Sequence, residues 1–139
     1  MKVVVDTNVI VSAFMNTNGT PARILSLILN GNIKILYDNR IIFEYIDVLS
    51  RKEFGFPGET INDVIDFMKR DGDYINPVPV NFPPTHLKVN FADESDKKFY
   101  EVYKSGGALY LITGNIKHFP KEDTIILPKD FIQVLENSA

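Results

Sequence analysis

The sequence contains no cysteine and only two histidines, His86 and His118. Disulfides and thiolate metal sites are therefore excluded, and a histidine-rich zinc centre lacks ligands. Any metal held by this chain is expected to sit among oxygen donors, which suits magnesium or manganese. The chain also lacks an apolar run long enough to cross a bilayer and a signal-peptide pattern, so no membrane association and a cytoplasmic location are expected. An excess of positive charge is missing too: 15 Lys and Arg face 18 Asp and Glu, for a formal net charge of −3. That balance argues against bulk electrostatic gripping of nucleic acid. It leaves room for a nucleic-acid enzyme, because carboxylates that bind divalent cations lower the counted charge while the loaded site is far less negative. Lysines such as Lys97, Lys98 and Lys117 read singly as solvated surface. Internal repeats and low-complexity segments are absent.

What is present is a 139-residue chain with 45% hydrophobic residues, expected to form a single domain over residues 1–139. Its organising stretch is the N-terminus. Val3, Val4 and Val5 read as a short strand buried on both faces, which implies a parallel sheet covered by helices. The run stops at Asp6. An unpaired carboxylate buried there would be costly or would take up a proton. Asp6 is therefore expected just past the strand end, where open parallel sheets bind their ligands.

The rest of the chain repeats this grammar. A helix from Asn8 to Phe14 is broken by the turn formers Asn16 to Gly19, and a second helix restarts with Thr20 as N-cap and Pro21 in the first position. Lys34 to Tyr37 reads as a strand, and Asp38-Asn39 caps a third helix from about Arg40 to Arg51. This alternation predicts an α/β fold, a three-layer α/β/α sandwich with a mainly parallel central sheet. Thr60 to Asp63 resembles a capping box opening a fourth helix with Ile61, Val64, Ile65 and Met68 on its inner face. Prolines at 77, 79, 83 and 84 predict an extended segment, with an edge strand through Val78 and Val80 and a surface histidine at His86. A fifth helix follows Asp93-Glu94-Ser95-Asp96 and ends at Gly106-Gly107. Leu109 to Ile112 is a second buried strand, stopping at Thr113-Gly114-Asn115, which a parallel sheet would put on the same rim as Asp6. Thr124 to Leu127 and Asp130 to Glu136 complete the chain as strand and helix.

Three carboxylates stand out. Asp6 ends a strand, Glu44 falls at the edge of the third helix's apolar arc, and Asp96 lies at the start of the fifth helix on the edge of its apolar arc. Two of them have a structural reading as well, Glu44 as surface and the acidic run around Asp96 as complement to a helix dipole. Grouped, they would repel one another unless a divalent cation neutralised them, and an acidic rim holding Mg²⁺ is a means of cleaving or transferring phosphate.

The sequence also resembles the PIN-domain family, in particular a toxin-like branch related to VapC-type toxins. The resemblance rests on four blocks in order: Val4-Val5-Asp6-Thr7-Asn8-Val9, Glu44-Tyr45 with Val48-Leu49, Asp93-Glu94-Ser95-Asp96-Lys97-Lys98-Phe99, and Tyr110-Leu111-Ile112-Thr113-Gly114-Asn115. A tail, Ile126 to Phe131, extends it. The resemblance implies a Mg²⁺- or Mn²⁺-dependent endoribonuclease that hydrolyses RNA phosphodiesters. It places Asp6, Glu44 and Asp96 as catalytic metal ligands, Asn8 and Thr113 as polar lining and Asp93 as an auxiliary acid. Asn115 stands where the family usually has a fourth carboxylate; an amide can coordinate through oxygen but brings no charge. By analogy with the branch, a small antitoxin protein and a homodimeric partner are also implied. Two alternatives follow from single residues. Asn115 and the acidic balance suit a catalytically weak domain that binds RNA or protein, and Asp6 after the first strand suits a phosphoaspartate enzyme, although Asn8 replaces that class's second aspartate.

Overall fold

The computed structural model describes residues 1–79 and 94–138. Its centre is an all-parallel five-stranded sheet of order β3-β2-β1-β4-β5. The strands are β1 (Lys2–Val5), β2 (Lys34–Tyr37), β3 (Asp73–Tyr74), β4 (Tyr110–Ile112) and β5 (Ile125–Ile126). Val3, Val4 and Val5 are fully buried, as the β-branched run predicts for a central strand covered on both faces.

Among the described residues six helices flank the sheet: α1 (Thr7–Met15), α2 (Thr20–Leu29), α3 (Asn39–Leu49), α4 (Gly58–Asp71), α5 (Lys97–Ser105) and α6 (Pro128–Asn137). From β1 the chain steps outward through β2 to β3, then returns to pair β4 on the other side of β1. Right-handed crossovers require the outward and return connections to cover opposite faces. Accordingly α2 and α3 each pack on both α1 and α4, while α5 lies against β1, β2 and β4. The reversal beside β1 makes a topological switch point, and the carboxyl ends of β1 and β4 open onto it.

Local chemistry sets several boundaries. The Asp38 carboxylate accepts the Ile41 N–H at 3.0 Å, capping α3 as expected. Pro21 does occupy the first turn of α2, but Gly19 rather than Thr20 is the N-cap. α4 starts at Gly58 behind Pro57, two residues before the predicted capping box. The third strand forms earlier than the proline-rich reading placed it, at Asp73–Tyr74 beside β2, while Val78 is irregular and exposed and Val80 lies outside the described residues. Gly72 makes the sharp entry to β3 possible, since a Cβ there would lie 2.5 Å from the Ile35 carbonyl oxygen. Ile46, placed on the buried arc of α3 by periodicity, is partly exposed, next to the more exposed Phe43. Among the described residues no helix is long and apolar enough to cross a membrane.

Candidate active site

Strand register decides the first juxtaposition. Val5 is level with Ile112 in the β1/β4 pair, so Asp6 and Thr113 leave the sheet side by side. The Asp6 N–H donates to the Ile112 carbonyl at 2.9 Å, and the Thr113 hydroxyl donates to Asp6 Oδ2 at 2.7 Å. Both residues are buried. Asn8 Nδ2 donates to the same Asp6 oxygen at 3.2 Å, and Asn8 Oδ1 accepts the Gly114 N–H at 3.1 Å. A side chain at position 114 would crowd this contact, because its Cβ would lie 3.3 Å from Asn8 Oδ1.

α3 brings Glu44 to the same opening. The Thr7 hydroxyl donates to Glu44 Oε2, and the Lys98 ammonium donates to Oε1 at 2.7 Å. The neighbouring Tyr45 ties α3 to the end of β1, its buried hydroxyl donating to the Val5 carbonyl. Burial first, and then the charges of Asp6 and Glu44, raise the Tyr45 phenol well above its ordinary pKa, so it is a neutral donor. Asp96 comes from the 3-10 turn Glu94–Asp96 ahead of α5, and its Oδ2 lies 3.3 Å from His118 Nδ1.

The Asp6 carboxyl is pushed up from 3.8 to about 6. Burial is the main cause; the Thr113 hydrogen bond opposes it, and the charges of Asp96 and Glu44 add to it. The charges of Glu44 and Asp96 therefore both bear on Asp6 across one opening. Their all-oxygen donor chemistry fits a hard divalent cation such as Mg²⁺ or Mn²⁺, whose positive charge would relieve both the burial and the mutual repulsion. Among the described residues no three acidic or histidine side chains are already closed around one point. Glu44 is turned toward Thr7 and Lys98, and Asp96 toward His118.

Two hollows flank the acidic rim. One of about 590 Å³ is lined by Arg40, Glu44, Pro79, Glu94, Ser95, Lys97, Lys98 and Glu101. The other, about 220 Å³, is lined by neutral groups including Asn8, Ser12, Gly114 and Asn115. Asp6, Asn8, Glu44, Asp96 and Thr113 thus lie around one opening, with Asn8 and Thr113 bonded to Asp6 and the charges of Glu44 and Asp96 acting on it. Asn115 is exposed at the edge, its N–H donating to Thr113 Oγ1 at 3.0 Å, and Asp93 and His86 lie outside the described residues.

Thr7 and Arg40 were not singled out from the sequence, and Lys98, expected there as solvated surface, is instead largely buried against Glu44. A signal existed for Lys98: Lys97 and Lys98 sit in the first turn of α5, where the helix dipole disfavours cations. Arg40 joins the buried carboxylates of Asp38 and Glu101, at 2.7 and 2.8 Å. It thereby clamps α3 to α5, the helices that frame the larger hollow.

A family model described as "PIN domain" matches residues 2–117. An uncharacterized protein of Methanocaldococcus jannaschii is 33% identical over 119 residues, covering 83% of this chain and 71% of that protein.

Proposed function

Because the chain belongs to the PIN-domain family, generally a family of nuclease domains, we propose that it is a Mg²⁺- or Mn²⁺-dependent endoribonuclease whose centre is Asp6, Glu44 and Asp96. The observation that carries this reading is a buried carboxylate at the β1/β4 switch point, raised to about 6 with two further acids acting on it. Such an arrangement is unfavourable without a cation and useful with one.

When bound, a divalent cation would polarise the phosphodiester and lower the pKa of water. The protein's own part is preorganisation. Thr113 and Asn8 fix one oxygen of Asp6, Thr7 fixes one of Glu44, and Tyr45 and the Arg40 clamp hold α3 against the sheet and α5. Arg40, Lys97 and Lys98 line the hollow beside Glu44 together with Glu94 and Glu101, and these three cations are the groups there that could meet the phosphates of a bound strand. Asn115 contributes an amide at the rim and no fourth charge.

The test is cleavage of single-stranded and structured RNA by metal-stripped protein to which Mn²⁺ or Mg²⁺ is returned, with Asp6→Asn purified alongside. Cleavage is expected with metal, suppressed by chelator and lost in the variant. Equal residual cleavage in both preparations would mean contamination and remove the claim. A binding domain without catalysis is favoured by one observation, the Lys98 ammonium already seated on Glu44. RNA retention without cleavage, with activity created by Asn115→Asp, would establish that alternative.

The resemblance of the sequence blocks to the VapC-related branch supports a role as the toxin of a toxin–antitoxin pair. A small antitoxin inserting a peptide into the cleft, and a homodimer using the outer faces of α2 and α4, belong to the same proposal. Purification from native cells without any short co-purifying polypeptide would count against the antitoxin.

A further inference from the structure

Glu44 is held by the protein's own cation. Lys98 Nζ lies 2.7 Å from Glu44 Oε1, with side chains only 11% and 25% exposed, a degree of burial that lysine rarely accepts unless paired. The same ammonium donates to the Ser95 carbonyl in the turn ahead of α5, so the backbone fixes its position. This placement runs against the dipole of α5, and the acidic rim compensates it. With Thr7 on Oε2 and Lys98 on Oε1, both Glu44 oxygens are engaged, and this is one reason the acidic groups are not closed around a common point. An oxygen shared between an ammonium and a divalent cation would force two positive charges within a few ångströms of each other.

We propose that Lys98 is the resident counter-cation of Glu44 and that it must leave this carboxylate when a divalent cation is loaded. The inference rests on the metal-dependent reading above and adds a positioning residue to it. Lys98 keeps the metal-free rim partly neutralised and weakens its affinity for the metal. On loading, its ammonium is released toward the hollow that Arg40 and Lys97 also line.

Calorimetric titration of the metal-stripped 139-residue protein with Mn²⁺ tests the exchange without reference to activity. Removing the ammonium by Lys98→Gln is expected to tighten Mn²⁺ binding by about tenfold, since one close like charge is lost. Lys69→Gln, on the exposed last turn of α4 at the amino end of the strands, removes the same charge at the opposite end of the sheet and is expected to change affinity by less than about twofold, the effect of a screened surface charge. In parallel, the Lys98 Nζ signal in ¹⁵N NMR, assigned by its absence in Lys98→Gln, should be present in metal-free protein and shift or vanish when Mg²⁺ is added. If wild type and Asp6→Asn bind Mn²⁺ equally poorly, the metal-dependent reading fails and takes the exchange with it. If wild type binds well but Lys98→Gln binds no more tightly, or if the Lys98 signal is unchanged at Mg²⁺ saturation, the exchange alone is wrong.

Discussion

Asp6→Asn should give a protein that is inactive yet more stable than wild type in chelator at pH 8. Loss of the central carboxylate is expected to lower metal-dependent cleavage on the order of a hundredfold to a thousandfold, the scale seen when one preorganised electrostatic group is removed. The stability effect has the opposite sign. The Asp6 pKa rises from 3.8 to about 6 on folding, so between those values the folded state holds the proton more tightly than the unfolded state. The stability contributed by this group is fully present below about pH 4 and is lost as pH rises through about 6. At 1.36 kcal/mol per pH unit, the charged carboxylate opposes folding by about 2–3 kcal/mol at neutral pH and above. Asparagine retains an oxygen that can accept from Thr113 and Asn8, and it carries no charge to bury. Thermal melts in chelator should therefore show wild type gaining stability from pH 8 to pH 5, with Asp6→Asn more stable at pH 8 and nearly level with wild type near pH 4. Added Mn²⁺ should stabilise wild type and leave the variant almost unmoved. A variant less stable than wild type at pH 8 would show that Asp6 is structurally favourable and would undercut the site reading.

That opposition between stability and activity explains which parts of the site could be read from sequence. An apolar strand ending in a carboxylate breaks a local rule, and the break pointed to Asp6. The register of two such strands did the rest: both end in small polar groups, and parallel pairing makes Asp6 and Thr113 neighbours. Glu44 was visible only as an edge position on α3, and the Tyr45 hydroxyl on the Val5 carbonyl is what turns that edge toward the rim. Among the described residues five strands and six helices follow the expected order, with the boundaries moved where backbone effects outweighed composition. Pro57 starts α4 ahead of Thr60, and the steric demand at Gly72 places β3 earlier than the prolines suggested. Contacts that join residues far apart in sequence were not legible. Neither the Lys98–Glu44 pair nor the Arg40 clamp has a local pattern, because the partners meet only after β4 has returned to β1. The misplaced cations at the start of α5 were the single local trace.

Arg40→Met is expected to destabilise the fold by about 2–3 kcal/mol, although nearly half of the arginine side chain is exposed. Its partners set the magnitude: Asp38 and Glu101 are 3% and 5% exposed, and the guanidinium meets them at 2.7 and 2.8 Å. Removing the cation leaves two buried carboxylates. A fully buried pair broken in this way typically loses about 3–5 kcal/mol, and solvent access to one side of Arg40 discounts that figure. Asp38 retains the Ile41 N–H through its capping role, and the contact that Glu101 loses is its 2.8 Å pair with Arg40. Neutralising it as well, in Arg40→Met with Glu101→Gln, should recover about 1–2 kcal/mol in a double-mutant cycle. Urea denaturation of the four proteins measures the coupling. Additive effects, or an Arg40→Met variant within about 0.5 kcal/mol of wild type, would mean that Arg40 is an ordinary surface cation. Because the clamp joins the helix carrying Glu44 to the helix carrying Lys98, a genuine coupling should also appear in Mn²⁺ affinity. Arg40→Met should weaken it and the double variant should restore part of it, as expected if the clamp positions the acidic rim and does not itself bind the metal.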